Sequence, residues 1–360
     1  MIRYLKWILV VGLVAMIPLP AKASGSSHEE GKIDVKSIVL GHMSDGYDWH
    51  ITTYEGHHIS IPLLVIVKGE NSGWNVFSSS KVTHGDTYNG FYINETNGKI
   101  YEKLADGSSV RPLDISITKN VVQLWIVVAL MLTIFLSAAR WYKKNGATQQ
   151  APKGFFGVVE MMVMMVHDDI IRPSVGEKQY KKFAPYLLTC FFFIFISNLL
   201  GLIPIFPGGA NLTGNITITF FLAFCTLLAI NLFGNKEYWK EIFWPPVPVF
   251  LKCPLPIMPL VEMLGIISRP FSLMVRLFAN IMGGHAAILS FTCVIFIAFT
   301  IGIGIGSALT PVSLVLMIFM NCLECLVAFI QAYVFTMLSA VFIGLSRQGG
   351  HEGGHEEKII

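Results

Sequence analysis

Five side chains able to carry or steer charge sit in the most apolar part of this sequence. Between Pro254 and Ser346 the only formally charged residues are Glu262, Arg269, Arg276 and Glu324, and His285 joins them. The amides Asn280 and Gln331 lie in the same stretch. An ionisable group inside a bilayer costs about 3 kcal/mol or more, so such groups are functional candidates and each needs a partner. Arginine does not deprotonate, so Arg276 cannot relay a proton, but it can act as a fixed positive charge. Histidine and glutamate can take up and release protons once surroundings and pairing tune them. The set therefore suits proton movement past a fixed charge. Arg269 precedes Pro270, and its simplest role is to snorkel toward an interface.

Helical geometry orders these residues. At about 100° per residue, Asn280 falls one turn beyond Arg276 on nearly the same face. Glu324 and Gln331 are seven apart and share a face, separated by about 10 Å along the axis. His285, nine beyond Arg276, points to roughly the opposite face of a regular helix. Two facing helices could thus present an arginine in one layer and a His/Glu pair in another.

The elements that must carry them are membrane helices. Of the 360 residues 53% are hydrophobic and only 14% charged, with a mean hydropathy of +0.60. A soluble domain carries about a quarter charged residues. The net charge of +3 is dispersed in loops and gives no basic face for nucleic acid. Spans are expected at Val121–Ala139, Phe183–Pro204 and Ile216–Phe233, with two longer segments near Pro256–Thr300 and Pro311–Leu345 linked by Gly302, Gly304 and Gly306. The last two exceed the ~20 residues of a perpendicular crossing and call for tilt or bending. Phe155–Ile171 is broken by Glu160, His167, Asp168 and Asp169 and is expected to lie along the membrane surface.

The start reads as a signal peptide, residues 1–23, with Arg3 and Lys6 before an apolar core and Ala21-Lys22-Ala23 as the cleavage pattern. Residues 24–119 form an exported polar segment expected to be β-rich. Strands are expected at Trp49–Tyr54, His58–Val67, Phe91–Ile93 and Lys99–Tyr101, and Asn97-Gly98 is expected as a two-residue hairpin turn. Residues 120–346 form the membrane domain and residues 347–360 a polar tail. The clusters Arg140-Trp141-Tyr142-Lys143-Lys144, Lys181-Lys182 and Lys236/Lys240 all fall at one side of the expected spans. The positive-inside rule then exports the N-terminus and keeps the C-terminus cytoplasmic. Cys322-Leu-Glu-Cys325 has metal-like spacing, but with no second pair it is better read as helix packing. No metal or cofactor is expected, and no phosphate loop occurs.

The run Ser268-Arg269-Pro270-Phe271-Ser272-Leu273-Met274-Val275-Arg276-Leu277-Phe278-Ala279-Asn280-Ile281-Met282-Gly283-Gly284-His285 resembles the signature helix of F-type ATP synthase subunit a. Ala328–Phe335, which holds Gln331, resembles that family's last helix. Asn198–Pro204 and Asn215–Thr217 are similar to further family features, so the resemblance spans about two-thirds of the chain. It implies an all-α polytopic membrane fold with two long tilted helices, here preceded by a β-rich extension outside the compact family pattern. It also implies a non-catalytic subunit that carries two proton half-channels against a rotating ring of c subunits. Arg276 would face the ring's carboxylates with Gln331 beside it. His285 and Glu324 would form a proton-path pair, with Glu262 near the other aqueous path. Asn198, Thr219, Ser272 and Asn280 would be polar lining. The implied partners are the c-ring, peripheral-stalk b subunits and lipid, in a bacterial inner membrane. The competing reading is a self-contained proton-coupled transporter, which would ordinarily show an internal repeat; none is visible.

Overall fold

The computed structural model describes residues 44–54, 57–83, 86–94, 97–104, 107–146, 154–177, 179–203, 209–243 and 257–347. The expected signal segment, Cys253 and the tail from residue 348 lie outside them. The chain forms two compact units. One comprises residues 1–133, 196–212 and 281–326, and the other residues 134–195, 213–280 and 327–360.

The first unit contains the β-extension. Strands β1 (Asp48–Tyr54) and β2 (His57–Pro62) pair antiparallel. Strands β3 (Leu64–Gly69), β4 (Gly73–Ser78) and β8 (Leu113–Asp114) form a sheet of order β4-β3-β8. Strands β5 (Phe91–Ile93), β6 (Ile100–Lys103) and β7 (Ser109–Val110) form another, of order β5-β6-β7. Along β3, Val65 and Val67 point inward between the outward Leu64 and Lys68, the two-residue period of a strand. They join Tyr47, Phe77, Val82, Phe91 and Ile100 in one core.

The β5–β6 connection differs from the expected two-residue turn. Asn94 N–H donates to the Lys99 carbonyl at 2.9 Å and Gly98 N–H to the Asn94 carbonyl at 2.7 Å, so the loop closes over four residues. The left-handed residue is Gly98, φ +63°, while the Asn97 side chain caps the turn by accepting from Lys99 N–H at 3.0 Å. Asn-Gly supplied the turn chemistry, but the Ile93–Ile100 pairing set a longer loop.

Glu102 anchors the β3–β4 turn. It is 2% exposed and accepts from Glu70 N–H at 2.6 Å, Ser72 N–H at 3.1 Å and the Ser72 hydroxyl. A Cβ on Gly69 would stand 2.6 Å from both carboxylate oxygens, so glycine is what admits them. Burial pushes the Glu102 carboxyl up, but the Ser72 hydroxyl and the N–H groups of Glu70, Ser72 and Asn71 outweigh it and hold it below its ordinary range.

Among the described residues five helices are long and apolar enough to cross a membrane. They are α1 (Lys119–Asn145), α4 (Tyr180–Leu202), α5 (Ile216–Phe233), α7 (Ile257–Ile301) and α8 (Ile303–Arg347). The extension runs into α1 without a free linker: Ile115, Ile117 and Lys119 N–H groups donate to the carbonyls of Ile66, Leu64 and Gly46. Helix α5 starts at Asn215, whose Oδ1 accepts from Thr217 N–H at 3.0 Å, a side-chain N-cap. Helices α7 and α8 have 45 residues each. That is about 67 Å of helix against a ~30 Å hydrocarbon layer. The break between them is shorter than expected: only Gly302 interrupts the helix, and Gly304, Gly306 and Pro311 lie inside α8. Gly306 fits there because a Cβ would stand 2.5 Å from the Phe299 ring.

Helix α2 (Phe155–Met165) has 11 residues, about half a crossing. It leaves Phe155, Val158, Met161 and Met164 exposed at three-residue intervals. It continues through a π-helical turn, Val166–Ile171, into α3 (Arg172–Val175). The amphipathic α6 (Lys236–Phe243) follows α5. In the second unit the end of α8 is clasped from several sides. Ser346 and Arg347 carbonyls accept from Asn235 at 3.0 and 2.6 Å, while Arg347 donates to Gln179 Oε1 and to the Phe233 carbonyl, each at 2.5 Å.

Candidate functional site

Within the first unit, α7 and α8 bring a histidine and a glutamate together. His285 Nδ1 stands 3.0 Å from Glu324 Oε1, with the side chains 17% and 3% exposed. Neither Glu324 oxygen has a hydrogen-bond donor among the described residues. One glycine makes room for the approach. A Cβ on Gly284 would meet Glu324 Oε1 at 3.0 Å and Cδ at 3.1 Å. A Cβ on Gly201 of α4 would meet His285 Nε2 and the Ala210 carbonyl, each at 3.7 Å. Glycine costs about 1 kcal/mol in a helix interior, and Gly284 leaves room for the Glu324 carboxylate, while the Gly201 distances are ordinary van der Waals contact. Asn198, one turn before Gly201 in α4, is 3% exposed in the same unit.

Within the second unit, Arg276 lies on an exposed face of α7 with Phe271, Ser272, Val275, Ala279 and Asn280. Leu273, Met274 and Leu277 form its buried face. Among the described residues Arg276 has no ion-pair partner. One turn on, Asn280 Nδ2 donates to Gln331 Oε1 of α8 at 2.7 Å, and Gln331 is 3% exposed. This bond orients the Asn280 amide beside Arg276 and satisfies a buried acceptor.

The other candidate residues stand apart from these groupings. Glu262 is half-buried near the start of α7. The Tyr238 hydroxyl of α6 feels both it and Arg269: burial pushes the phenol up, Arg269 pulls it down and Glu262 pushes it up. Arg269 also lies 5.7 Å from the Phe342 ring centre, a cation–π contact. Thr219 is fully buried, and its hydroxyl donates within α5 to the carbonyls of Ile216, at 3.1 Å, and Asn215, at 3.4 Å.

Sequence reasoning passed over Gly201 and Gly284 as packing devices, and Gln123 altogether. Gln123 is fully buried in α1 and accepts from Ala210 N–H at 3.0 Å. Its signal was available: an amide one turn inside an otherwise apolar span. A second buried polar series links Tyr186, Thr226 and Ser339, with hydroxyl spacings of 3.0 and 3.4 Å. Its members are ordinary in type, and only packing brings them together.

Comparison with known proteins bears on this arrangement. The family model described as ATP synthase A chain matches residues 121–344. A domain of unknown function (DUF8433) matches residues 38–119, the β-extension. ATP synthase subunit a 2 of Chlorobaculum tepidum is 41% identical over 69% of this chain and 67% of its own. ATP synthase subunit a of Chloroherpeton thalassium is 40% identical over 65% of this chain and 67% of its own. ATP synthase subunit a of an Anaeromyxobacter species is 34% identical over 93% of this chain and 77% of its own. The last alignment is long enough to take in the extension, so that segment is shared with a relative. With the match running from α1 into α8, the chain belongs to the ATP synthase A chain family, the subunit a family of the F-type enzyme.

Proposed function

We propose that this chain is the proton-translocating, non-catalytic subunit a of an F-type ATP synthase. It forms two aqueous half-channels against a ring of c subunits and couples proton flow to ring rotation. The observation that carries the reading is Arg276, a permanent cation exposed on an apolar helix with no carboxylate of its own among the described residues. A charge in that position requires a partner from outside the chain. A ring carboxylate supplies one. The ion pair keeps the arriving carboxylate ionised, and the fixed charge blocks direct leakage between the half-channels. His285 and Glu324 hand protons along one path, Glu262 stands near the other, and Ser272, Asn280, Asn198, Thr219 and Gln331 provide polar lining. The b subunits of the peripheral stalk complete the membrane assembly.

Residues 1–23 are a signal peptide, 24–119 an exported domain, 120–346 the channel domain and 347–360 a cytoplasmic tail, in a bacterial inner membrane. Protease added outside that membrane should reach the β-extension and not the tail. Cleavage of both from one side overturns this topology.

The central test is Arg276. Lysine is a compact ammonium that can lose its proton when buried, while guanidinium stays charged. Both Arg276→Lys and Arg276→Ala should abolish proton-driven ATP synthesis in vesicles carrying the assembled complex, and Arg276→Ala should add a passive leak. Near-normal synthesis by Arg276→Ala refutes the assignment.

A further inference from the structure

We propose that the outer face of the β4-β3-β8 sheet rests on the bilayer at the head of α1, making the β-extension a lipid-docked domain. The proposal requires only that α1 crosses the membrane, and it stands apart from the proton path.

An antiparallel sheet packed on one side ordinarily turns polar residues outward on the other. This one is apolar on both faces. Val65, Val67 and Phe77 point into the core, and the side chains between them line up outside in three rows. Lys68 stands opposite Trp74 of β4 and Leu113 of β8. Ile66 stands opposite Val76, and Ile115 N–H donates to the Ile66 carbonyl at 3.0 Å. Leu64 stands opposite Ser78, and Ile117 N–H donates to the Leu64 carbonyl at 2.9 Å. Trp74, Val76, Leu113 and Ile115 are each more than half exposed, and Leu64 is 43% exposed. A contiguous exposed apolar patch marks a contact with protein or membrane.

Chain continuity favours lipid. Ile115 and Ile117 lead straight into α1, and the Lys119 N–H at its head donates back to the Gly46 carbonyl at 3.0 Å. Only four residues run from Ile115 to Lys119, which is about 14 Å of chain at full extension. The headgroup layer is itself about 5–7 Å deep on each side. The sheet is thus tethered within reach of the leaflet, and the tether gives lipid a high effective concentration beside it. Below the sheet, α1 continues the apolar surface with Trp125, Val128, Leu130 and Leu132 exposed. The side chains also suit an interface. Lys68 is the one charge in the three rows, and its ammonium lies 5.8 Å from the Trp74 ring centre. Tryptophan settles at headgroup level, and a lysine stem lies on apolar surface while its head reaches for phosphate.

Fluorescence quenching in the assembled complex, reconstituted in phosphatidylcholine vesicles, tests this. The chain's six cysteines are first replaced by alanine. A fluorophore is then attached at Val76→Cys or Leu113→Cys, with Ser108→Cys, exposed in the β6–β7 connection, as the water-facing comparison. Phosphatidylcholine carrying a nitroxide near its headgroup should quench the dye about two-fold or more at positions 76 and 113, because an interfacial face sits ~5–10 Å into the boundary. It should leave position 108 unchanged, where iodide in the water quenches instead. Leu113→Cys serves if Val76→Cys does not assemble, and a fluorescent amino acid built in at Leu113 serves if the cysteine-free chain does not. Absence of nitroxide quenching at both positions overturns the docking. Iodide quenching there then shows that the face meets water. Protection from both quenchers shows that a protein covers it, either a second copy of this chain or another subunit.

Discussion

Gly284 gives a test in which stability and proton flux should move in opposite directions. It sits in α7 immediately before His285 and faces Glu324 across to α8. In Gly284→Ala the new Cβ would lie 3.0 Å from Glu324 Oε1, whereas ordinary van der Waals contact begins at 3.4 Å. The carboxylate must therefore retreat by about 0.4 Å. That carries it from 3.0 Å to the limit of hydrogen-bonding distance from His285. A misplacement of 1 Å can cost a reaction about a hundred-fold, so a shift of this size should slow proton passage between about three- and ten-fold. Replacing a helix-interior glycine by alanine otherwise favours the helix by about 1 kcal/mol, so the variant should assemble at least as well as the parent. Gly283→Ala is the internal comparison, because a Cβ there meets nothing within 4 Å. Passive flux through the reconstituted membrane sector, driven by a potassium diffusion potential and read with a pH-sensitive dye, measures both. Equal flux in the two variants would refute the idea that the His285–Glu324 separation limits proton passage.

Further outcomes follow from the same geometry. Replacing either His285 or Glu324 alone by leucine leaves a buried partner uncompensated and should slow flux. The exchange His285→Glu with Glu324→His should recover more flux than either single change, and an exchange no better than the singles sinks the pairing. Gln331→Leu should leave Asn280 without its acceptor and lower coupled ATP synthesis more than passive flux, because the amide is positioned beside Arg276; equal losses would argue for a general packing defect. In the extension, the Glu102 carboxyl lies below its ordinary range when folded. Its stabilisation is thus fully present above the ordinary carboxylate range and is lost as pH falls through that range toward the lower folded value. Glu102→Gln should weaken amide-exchange protection of β3, β4 and β6 at neutral pH by about ten-fold, equivalent to ~1.4 kcal/mol, and flatten the acid dependence. An unchanged acid profile would show that Glu102 is not the group being titrated.

The membrane spans were legible in the sequence because hydrocarbon imposes a one-dimensional condition. A stretch such as Ile216–Phe233 must be apolar over its whole length and must satisfy its own backbone, whatever its neighbours do. The functional candidates were legible for the same reason: a charge such as Arg276 is too costly there to be incidental. The strands were legible in part: Trp49–Tyr54, the stretch from His58 to Val67, Phe91–Ile93 and Lys99–Tyr101 were expected, whereas β4, β7 and β8 were not. Chain-distant relations decided the remainder. The β5–β6 loop followed the Ile93–Ile100 register rather than its Asn-Gly dipeptide. A single glycine, Gly302, proved enough to break α7 from α8, because helical hydrogen bonds need backbone and not side chains, so Gly304 and Gly306 could join the next helix. Most of all, the sequence names His285 and Glu324 but cannot say that they approach to 3.0 Å. That distance depends on what is missing at Gly284, and the value of a missing side chain appears only when another helix packs against the gap.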